Sequence, residues 1–415
     1  MKGVLVILDG LGDLPTILLG DKTPLEAADT PNLDFLANRG EIGYLYTVKP
    51  GYVPESNEGI TSIFGNDLTS STRGQLEGRG TDLEIVRGDL VLRTNFATID
   101  NIEAGNIIDR RVGRTLTTKE AEILAKDINK IELPVKFTFK PTVQHRGVLV
   151  FKGGFSDNFM GNDKTYFQTN VQETTKVKPC KPLDDDDNSQ YSVNILNEFL
   201  EKVYEVLKDH PINQIRKEKG MMPANYLIVR DPGSEPPKLK LYKKWMAVAY
   251  MPLEIGFAKT SGMKVYSFKY PKLKKYDAYA NIHKGLKKAC KSSIWNLRWH
   301  SGRYDYAYIH IKETDEPGHD NKPLEKKMML EYIDRTLIAF LRRFAVKKGL
   351  KIVVTGDHST PCRLKNHSAD PVPVLFYDGS KPSIPKEKSF NERMARVGSL
   401  GRMQGKDLFR KVGFV

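Results

Sequence analysis

KIVVTGDHSTPCRLKNHSADPVP, residues 351–373, opens with the short β-branched run Ile352-Val353-Val354, which reads as a buried strand. Gly356, Asp357 and His358 follow the strand at once. A second cluster, Asn366-His367-Ser368-Ala369-Asp370, comes a short loop later and is closed by Pro371 and Pro373. Open α/β sheets place ligands at the carboxyl ends of their strands. A carboxylate beside an imidazole, with another imidazole nearby, is the donor set of a metal shell. Taken alone, the Asp-His pair also fits a helix cap with a surface imidazole.

Two other segments repeat the design. Residues 4 to 8, VLVIL, form an apolar strand that ends in Asp9-Gly10-Leu11-Gly12-Asp13. Tyr306 to Ile311 form another, which exits into Lys312-Glu313-Thr314-Asp315-Glu316-Pro317-Gly318-His319-Asp320. Pro317 and Gly318 lie between Asp315 and His319 and predict a loop pair rather than two positions on a helix face. The chain has 8 histidines, and His319, His358 and His367 all fall in these loops. Mixed carboxylate and imidazole donors suit Mn²⁺ or Zn²⁺ better than the all-oxygen shells of Mg²⁺ or Ca²⁺. More than four candidate donors exceed one tetrahedral site and point to two ions. In KPGYVPESNEGITSIFGNDL, residues 49–68, Ser56 stands at the mouth of a helical run, where backbone amides and the positive helix end favour an anion. It reads either as an N-cap or as a nucleophile. At a metal, a serine nucleophile needs no histidine base.

Composition sets the wider bounds. The 415 residues are 40% hydrophobic, ordinary for a soluble globular chain of two or three domains. No run approaches a membrane span. Met1-Lys2-Gly3 enters the short strand and then Asp9 too quickly for a signal peptide. Three scattered cysteines, Cys180, Cys290 and Cys362, fit a reducing compartment, so a cytoplasmic location is expected. The net charge of +14 draws anions. Runs such as Lys272-Leu273-Lys274-Lys275 read as solvated helix faces, and no nucleic-acid-binding motif accompanies them. From about 70 to 235 the character changes. Strand-like runs at 91–99, 136–141 and 147–151 and helices at 116–129 and 193–208 are joined by turns rich in arginine. These turns hold Arg79, Arg110, Arg111, Arg114, His145-Arg146 and Arg230. Guanidinium forks suit carboxylate and phosphate, although any one of them alone also fits a surface ion pair. The expected fold is α/β: a core from 1–69 and 236–415, interrupted by a smaller α/β domain at 70–235. Helices are expected over 23–40, 322–347 and, broken by Gly398 and Gly401, 389–411.

The chain resembles the archaeal-type, cofactor-independent (2,3-bisphosphoglycerate-independent) phosphoglycerate mutases of the alkaline phosphatase superfamily. The resemblance rests on VLVILDGLGD at 4–13, GRGTDLEIVRGDLVLRTNFATID at 78–100, DRRVGR at 109–114, HRGVLVF at 145–151, HIKETDEPGHD at 310–320 and VTGDHSTP with NHSADPVP at 354–373. It implies an alkaline-phosphatase-like core sheet flanked by helices. It also implies interconversion of 3-phosphoglycerate and 2-phosphoglycerate through a phosphoserine at a two-metal site, with no 2,3-bisphosphoglycerate. By resemblance, Asp315, His319 and His367 hold one ion, and Asp9, Ser56, Asp357 and His358 hold the other. Mn²⁺ is the first choice of ion, with Mg²⁺, Zn²⁺ or Co²⁺ as alternatives. Ser56 is the nucleophile. Arg110, Arg114, His145 and Arg146, with Arg79 and Arg230, clamp the small-molecule phosphoglycerate; neither nucleic acid nor membrane is an expected partner. The chain departs from the family pattern at Glu55, Asn57 and Ile60 around the serine, and at Ile255, where the family has a lysine. These departures leave two alternatives: a phosphomonoesterase of the same superfamily, or a catalytically impaired relative.

Overall fold

The computed structural model describes every residue except 168, 169, 174, 274, 275, 382, 383, 387 and 415, and it leaves the side chains of 164–167 and 170–173 undescribed. Lys274 and Lys275 of the basic run therefore lie outside the described residues.

The largest sheet has eight strands, in the order Lys264–Tyr266, Trp245–Val248, Tyr306–Ile311, Gly3–Leu8, Lys351–Thr355, Val372–Asp378, Glu41–Tyr46 and Gly401–Gln404. The first five run parallel. Val372–Asp378 is antiparallel to both of its neighbours, and Gly401–Gln404 is parallel to Glu41–Tyr46. Helices cover both faces, which is why the central strands read as unbroken apolar runs. Val4, Val6 and Leu8 pack on one face with Leu33, Leu286 and Leu337; Leu5 and Ile7 pack on the other with Ile60, Phe64 and Phe257.

Register builds the site. Leu8 pairs with Ile311, and Ile7 pairs with Thr355. The residues that follow, Asp9, Lys312 and Gly356-Asp357, therefore leave the sheet side by side.

A second sheet of five strands is antiparallel. Tyr226–Gly233, Leu90–Ile99, Arg146–Phe151 and Phe137–Pro141 lie in that order, with Ile107–Asp109 beside Leu90–Ile99. The two-residue period sends Leu90, Leu92 and Phe96 into a core with the helices Thr118–Ile128 and Asp187–Lys208. Val91, Arg93 and Asn95 alternate with them, and Arg93 pairs with Arg230 in register.

Two helix expectations are corrected. Over 389–411 the chain forms a short helix Glu392–Arg396, a strand Gly401–Gln404 and a helix Leu408–Val412. Gly401 adopts a left-handed φ of 71° and starts an edge strand instead of interrupting a helix. The expected 322–347 helix contains a wider π-helical turn at Asp334–Ile338. The Asp334 carboxylate accepts from the backbone N–H of Asn32 and Leu33 at 3.1 and 2.7 Å, satisfying the start of the helix Pro31–Arg39.

Candidate active site

Ser56 is the first residue of the helix Ser56–Ile63, and it is not the cap. Glu55 is the N-cap: its side chain accepts from the Glu58 backbone N–H, and Glu58 answers on the Glu55 N–H at 2.8 Å. The serine hydroxyl is thereby left for other work, at a helix start whose free amides favour an anion. Glu55 also accepts from Arg73 at 2.8 Å. The departure at Ile60 is a core residue, fully buried beside Ile63 and Phe64. Gly59 allows the helix to lie against the Asp357 loop; a β-carbon there would sit 2.1 Å from the Asp357 carbonyl oxygen.

All seven expected metal donors come together. His358 Nε2 lies 3.2 Å from Ser56 Oγ and 3.0 Å from Asp9 Oδ1. Asp357 Oδ2 lies 3.7 Å from the same nitrogen. Asp315 Oδ2 is 3.3 Å from His319 Nε2, and its Oδ1 is 3.9 Å from His367 Nε2. The His358 and His367 rings stack with centroids 3.8 Å apart. Gly10, at φ 61°, lets the loops converge, because a β-carbon would meet Asp315 Oδ1 and Thr360 Oγ1 at 2.6 Å. One local expectation is corrected. Asp315 is the N-cap of a short helix, Glu316–His319, one turn before His319. Pro317 falls in the first turn, where its missing N–H costs no hydrogen bond.

The hydrogen bonds fix the imidazole tautomers. His319 Nδ1 reaches the Lys365 carbonyl at 3.1 Å and His367 Nδ1 the Pro54 carbonyl at 2.9 Å. A carbonyl only accepts, so each Nδ1 carries the proton. The Thr360 hydroxyl donates to Asp315 Oδ1 at 2.6 Å, so His358 Nδ1–H donates to Thr360 Oγ1 at 3.0 Å. In the neutral rings all three Nε2 lone pairs then face carboxylate oxygens. Burial and the nearby His358 bring His367 down to about 3, which keeps that ring neutral.

The sequence reading missed His310. It lies inside the strand Tyr306–Ile311, its Nδ1 2.7 Å from the Tyr308 hydroxyl. Its Nε2 is 3.7 Å from Asp9 Oδ2 and 3.6 Å from Asp357 Oδ2. Asp9 Oδ1 and Oδ2, His310 Nε2 and Asp357 Oδ2 are buried without a hydrogen bond. Two donor groups therefore stand out among the described residues: Asp315, His358 and His367, and Asp9, His310 and Asp357. His358 stands between them, touching Ser56 and Asp9 as well. Carboxylate oxygens and imidazole nitrogens crowded together in buried positions fit divalent cations.

A cleft of about 680 Å³ joins this cluster to the second sheet. Arg110, Arg111, Arg114, His145, Arg146 and Arg230 line it. Arg73 and Arg93, not expected from the sequence, line it too. Arg79 is not part of the lining; it donates to Gln75 at 3.2 Å within its own helix. Burial, then Arg146, Arg111 and Arg114, hold His145 well below the ordinary imidazole range, so it serves as a neutral hydrogen-bonding group. Glu316 gathers three guanidiniums: Arg111 at 3.2 Å, Arg114 at 2.9 Å and Arg146 at 3.2 Å.

A parallel α/β core that ends in a serine and two acid-imidazole clusters under an arginine-lined cleft defines a metal-dependent enzyme of phosphoryl chemistry. Consistent with this, residues 248–410 match the Metalloenzyme superfamily model and residues 37–213 the model for 2,3-bisphosphoglycerate-independent phosphoglycerate mutase. The mutase of that name from Pyrococcus furiosus is 40% identical, over 98% of this chain and 95% of its own; that from Thermococcus kodakarensis is 39% identical over the same shares. A solved Pyrococcus horikoshii structure superposes with a TM-score of 0.75 at 31% identity, covering 99% of this chain and 96% of that one. The cofactor-independent phosphoglycerate mutase from Thermoplasma acidophilum gives 0.56 at 27% identity, covering 100% and 99%. The chain belongs to the 2,3-bisphosphoglycerate-independent phosphoglycerate mutases.

Proposed function

We propose that this chain interconverts 3-phosphoglycerate and 2-phosphoglycerate through a phosphoserine on Ser56. The reading is carried by one observation: four imidazole Nε2 atoms and three carboxylates converge beside a buried serine hydroxyl, 3.2 Å from His358, at a helix start. Asp315, His319 and His367 would hold one divalent ion, and Asp9, Asp357, His358 and Ser56 a second, with His310 facing the second from the sheet. Bound there, such ions neutralise phosphoryl oxygens and favour the serine alkoxide.

The chain's own groups do the rest. Ser56 Oγ attacks the phosphorus as the bond to the 3-oxygen breaks, and the glycerate 3-oxygen leaves. The amides at the start of the Ser56–Ile63 helix favour the charge brought to the serine. Arg110, Arg114, Arg146, Arg230 and His145 hold glycerate while it turns, and Arg73 and Arg93 add charge at the cleft wall. The 2-hydroxyl then takes the phosphoryl group back from Ser56. We assign residues 1–69 and 236–415 to the core and 70–235 to a clamping domain. In support, the second hydrophobic core draws, among the described residues, on those from Leu90 to Val229. A clamp closed over the serine excludes the water that would hydrolyse phosphoserine.

The test is an assay of metal-stripped protein, resupplied in turn with Mn²⁺, Mg²⁺, Zn²⁺ or Co²⁺. Formation of 2-phosphoglycerate, read through enolase, is measured against release of inorganic phosphate. Mutase turnover far above phosphate release is expected. Phosphate release as the main product would make the protein a phosphomonoesterase.

A further inference from the structure

Lys312 directly follows a central strand, and it lies between two buried carboxylates. Its Nζ contacts Asp9 Oδ2 on one side and stands 3.1 Å from Glu254 Oε1 on the other. Glu254 is 1% exposed, and neither of its oxygens has a hydrogen bond. It sits in the first turn of the helix Pro252–Thr260 and lines the cleft with Lys312. A buried carboxylate whose oxygens make no regular hydrogen bond and lean on one amine is costly, and a packing role alone does not call for it. Asp9 is similar: its oxygens make no regular hydrogen bond, with Lys312 Nζ against Oδ2 and His358 Nε2 3.0 Å from Oδ1. The two acids face one small volume, and what fills it is an ammonium, a compact point charge on a flexible stem. The amine reaches this place because Ile311 pairs with Leu8, which brings the next residues, Lys312 and Asp9, into contact.

We propose that the Lys312 ammonium is the built-in third cation of the site and fills a position that the Asp9 and Glu254 carboxylates would otherwise give to a divalent ion. This rests on the reading of the neighbouring donors as a divalent-ion site. Lys312 then acts as a positioning residue. It holds Asp9 Oδ2, leaves Oδ1 to face His358, and keeps a positive charge in the cleft lining that chelation cannot remove. Hard carboxylate oxygens with the amine removed suit Mn²⁺ or Mg²⁺.

The test counts Mn²⁺ ions per chain by titration followed by electron paramagnetic resonance. The full-length chain is compared with Lys312→Ala and with Lys312→Ala/Glu254→Ala. Lys312→Ala is expected to bind one more Mn²⁺ than the parent, and the double variant to lose that extra ion. A count equal to the parent's in Lys312→Ala, or an extra ion that survives loss of Glu254, overturns the proposal. Should Lys312→Ala not fold without metal, Mn²⁺-dependent recovery of its circular dichroism supports the proposal. Failure to recover overturns it. The parent's own count tests the divalent-ion reading separately, because the proposal concerns only the difference between parent and variant.

Discussion

Thr360 carries no charge and belongs to no recognised donor pair, but one carboxylate and one imidazole of the donor cluster lean on its hydroxyl. It donates to Asp315 and accepts from His358 Nδ1, so it fixes one carboxylate and one tautomer together. Outer contacts of this kind typically tune metal affinity about 10–100-fold. Thr360→Val, nearly the same shape, is expected to weaken divalent-ion binding by a factor in that range, measured by calorimetric titration, with the fold unchanged. Affinity equal to the parent's would show that the hydroxyl only fills space. Ile60 makes the complementary case. It is fully buried against the sheet face below Ser56. Ile60→Ala is expected to cost about 2–5 kcal/mol in denaturant unfolding, as large-to-small changes in packed cores do.

Among the elements, the short helix Glu316–His319 joins chemistry to closure. Asp315 and His319 face the donors, while Glu316 holds Arg111, Arg114 and Arg146 of the second sheet's side of the cleft. Burial opposes ionisation of Glu316, but Arg114, Arg111 and Arg146 outweigh it and bring its carboxyl to about 2 from the usual 4.5. Its folded value is depressed, so its contribution is present in full above about pH 4.5 and is lost as pH falls toward 2. At 1.36 kcal/mol per unit the shift corresponds to roughly 3 kcal/mol. Glu316→Gln is therefore expected to be less stable than the parent near pH 7. The gap should shrink to nothing as pH drops through that window, read by denaturant unfolding at each pH. A gap independent of pH would contradict the ion cluster.

The legible and illegible parts of the sequence divide along the same elements. Strand exits could be read because apolar runs stop just before Asp9 and Asp357, and the strand Tyr306–Ile311 exits into the turn that holds Asp315. His310 could not, because it sits inside an apolar strand and only the register beside Ile7 aims it at the donors. Arg73, Arg93 and Lys312 escaped for a related reason: their direction is set by helix crossing and strand pairing across long sequence separations. The Asp315–His319 pair was misread because proline and glycine signal a loop, but at the first turn of a helix proline is permitted.

At the scale of the whole molecule, a chain with net charge +14 places seven arginines on one cleft that also holds the buried acids. Anionic substrate should be drawn in by this field, and the Debye length falls to ~8 Å at 0.15 M salt. KM for phosphoglycerate is expected to rise with ionic strength, with kcat changing less. Removing divalent ions should loosen the entire fold. Without them the Asp9 and Asp357 carboxylates, within 4.8 Å of each other, repel, and ions held about 1,000-fold above their dissociation constants contribute ~4 kcal/mol of apparent stability. A chelator should thus lower the melting temperature, and Mn²⁺ should restore it. The central claim is that Ser56 carries the phosphoryl group between the two glycerate oxygens. Its most direct test is rapid acid quenching of Mn²⁺-loaded protein with phosphorus-labelled 3-phosphoglycerate, followed by mass spectrometry of the peptides. Label on Ser56 in the parent, and neither label nor turnover in a folded Ser56→Ala variant, is the predicted result. Turnover in Ser56→Ala near that of the parent, or label on another residue, would contradict it.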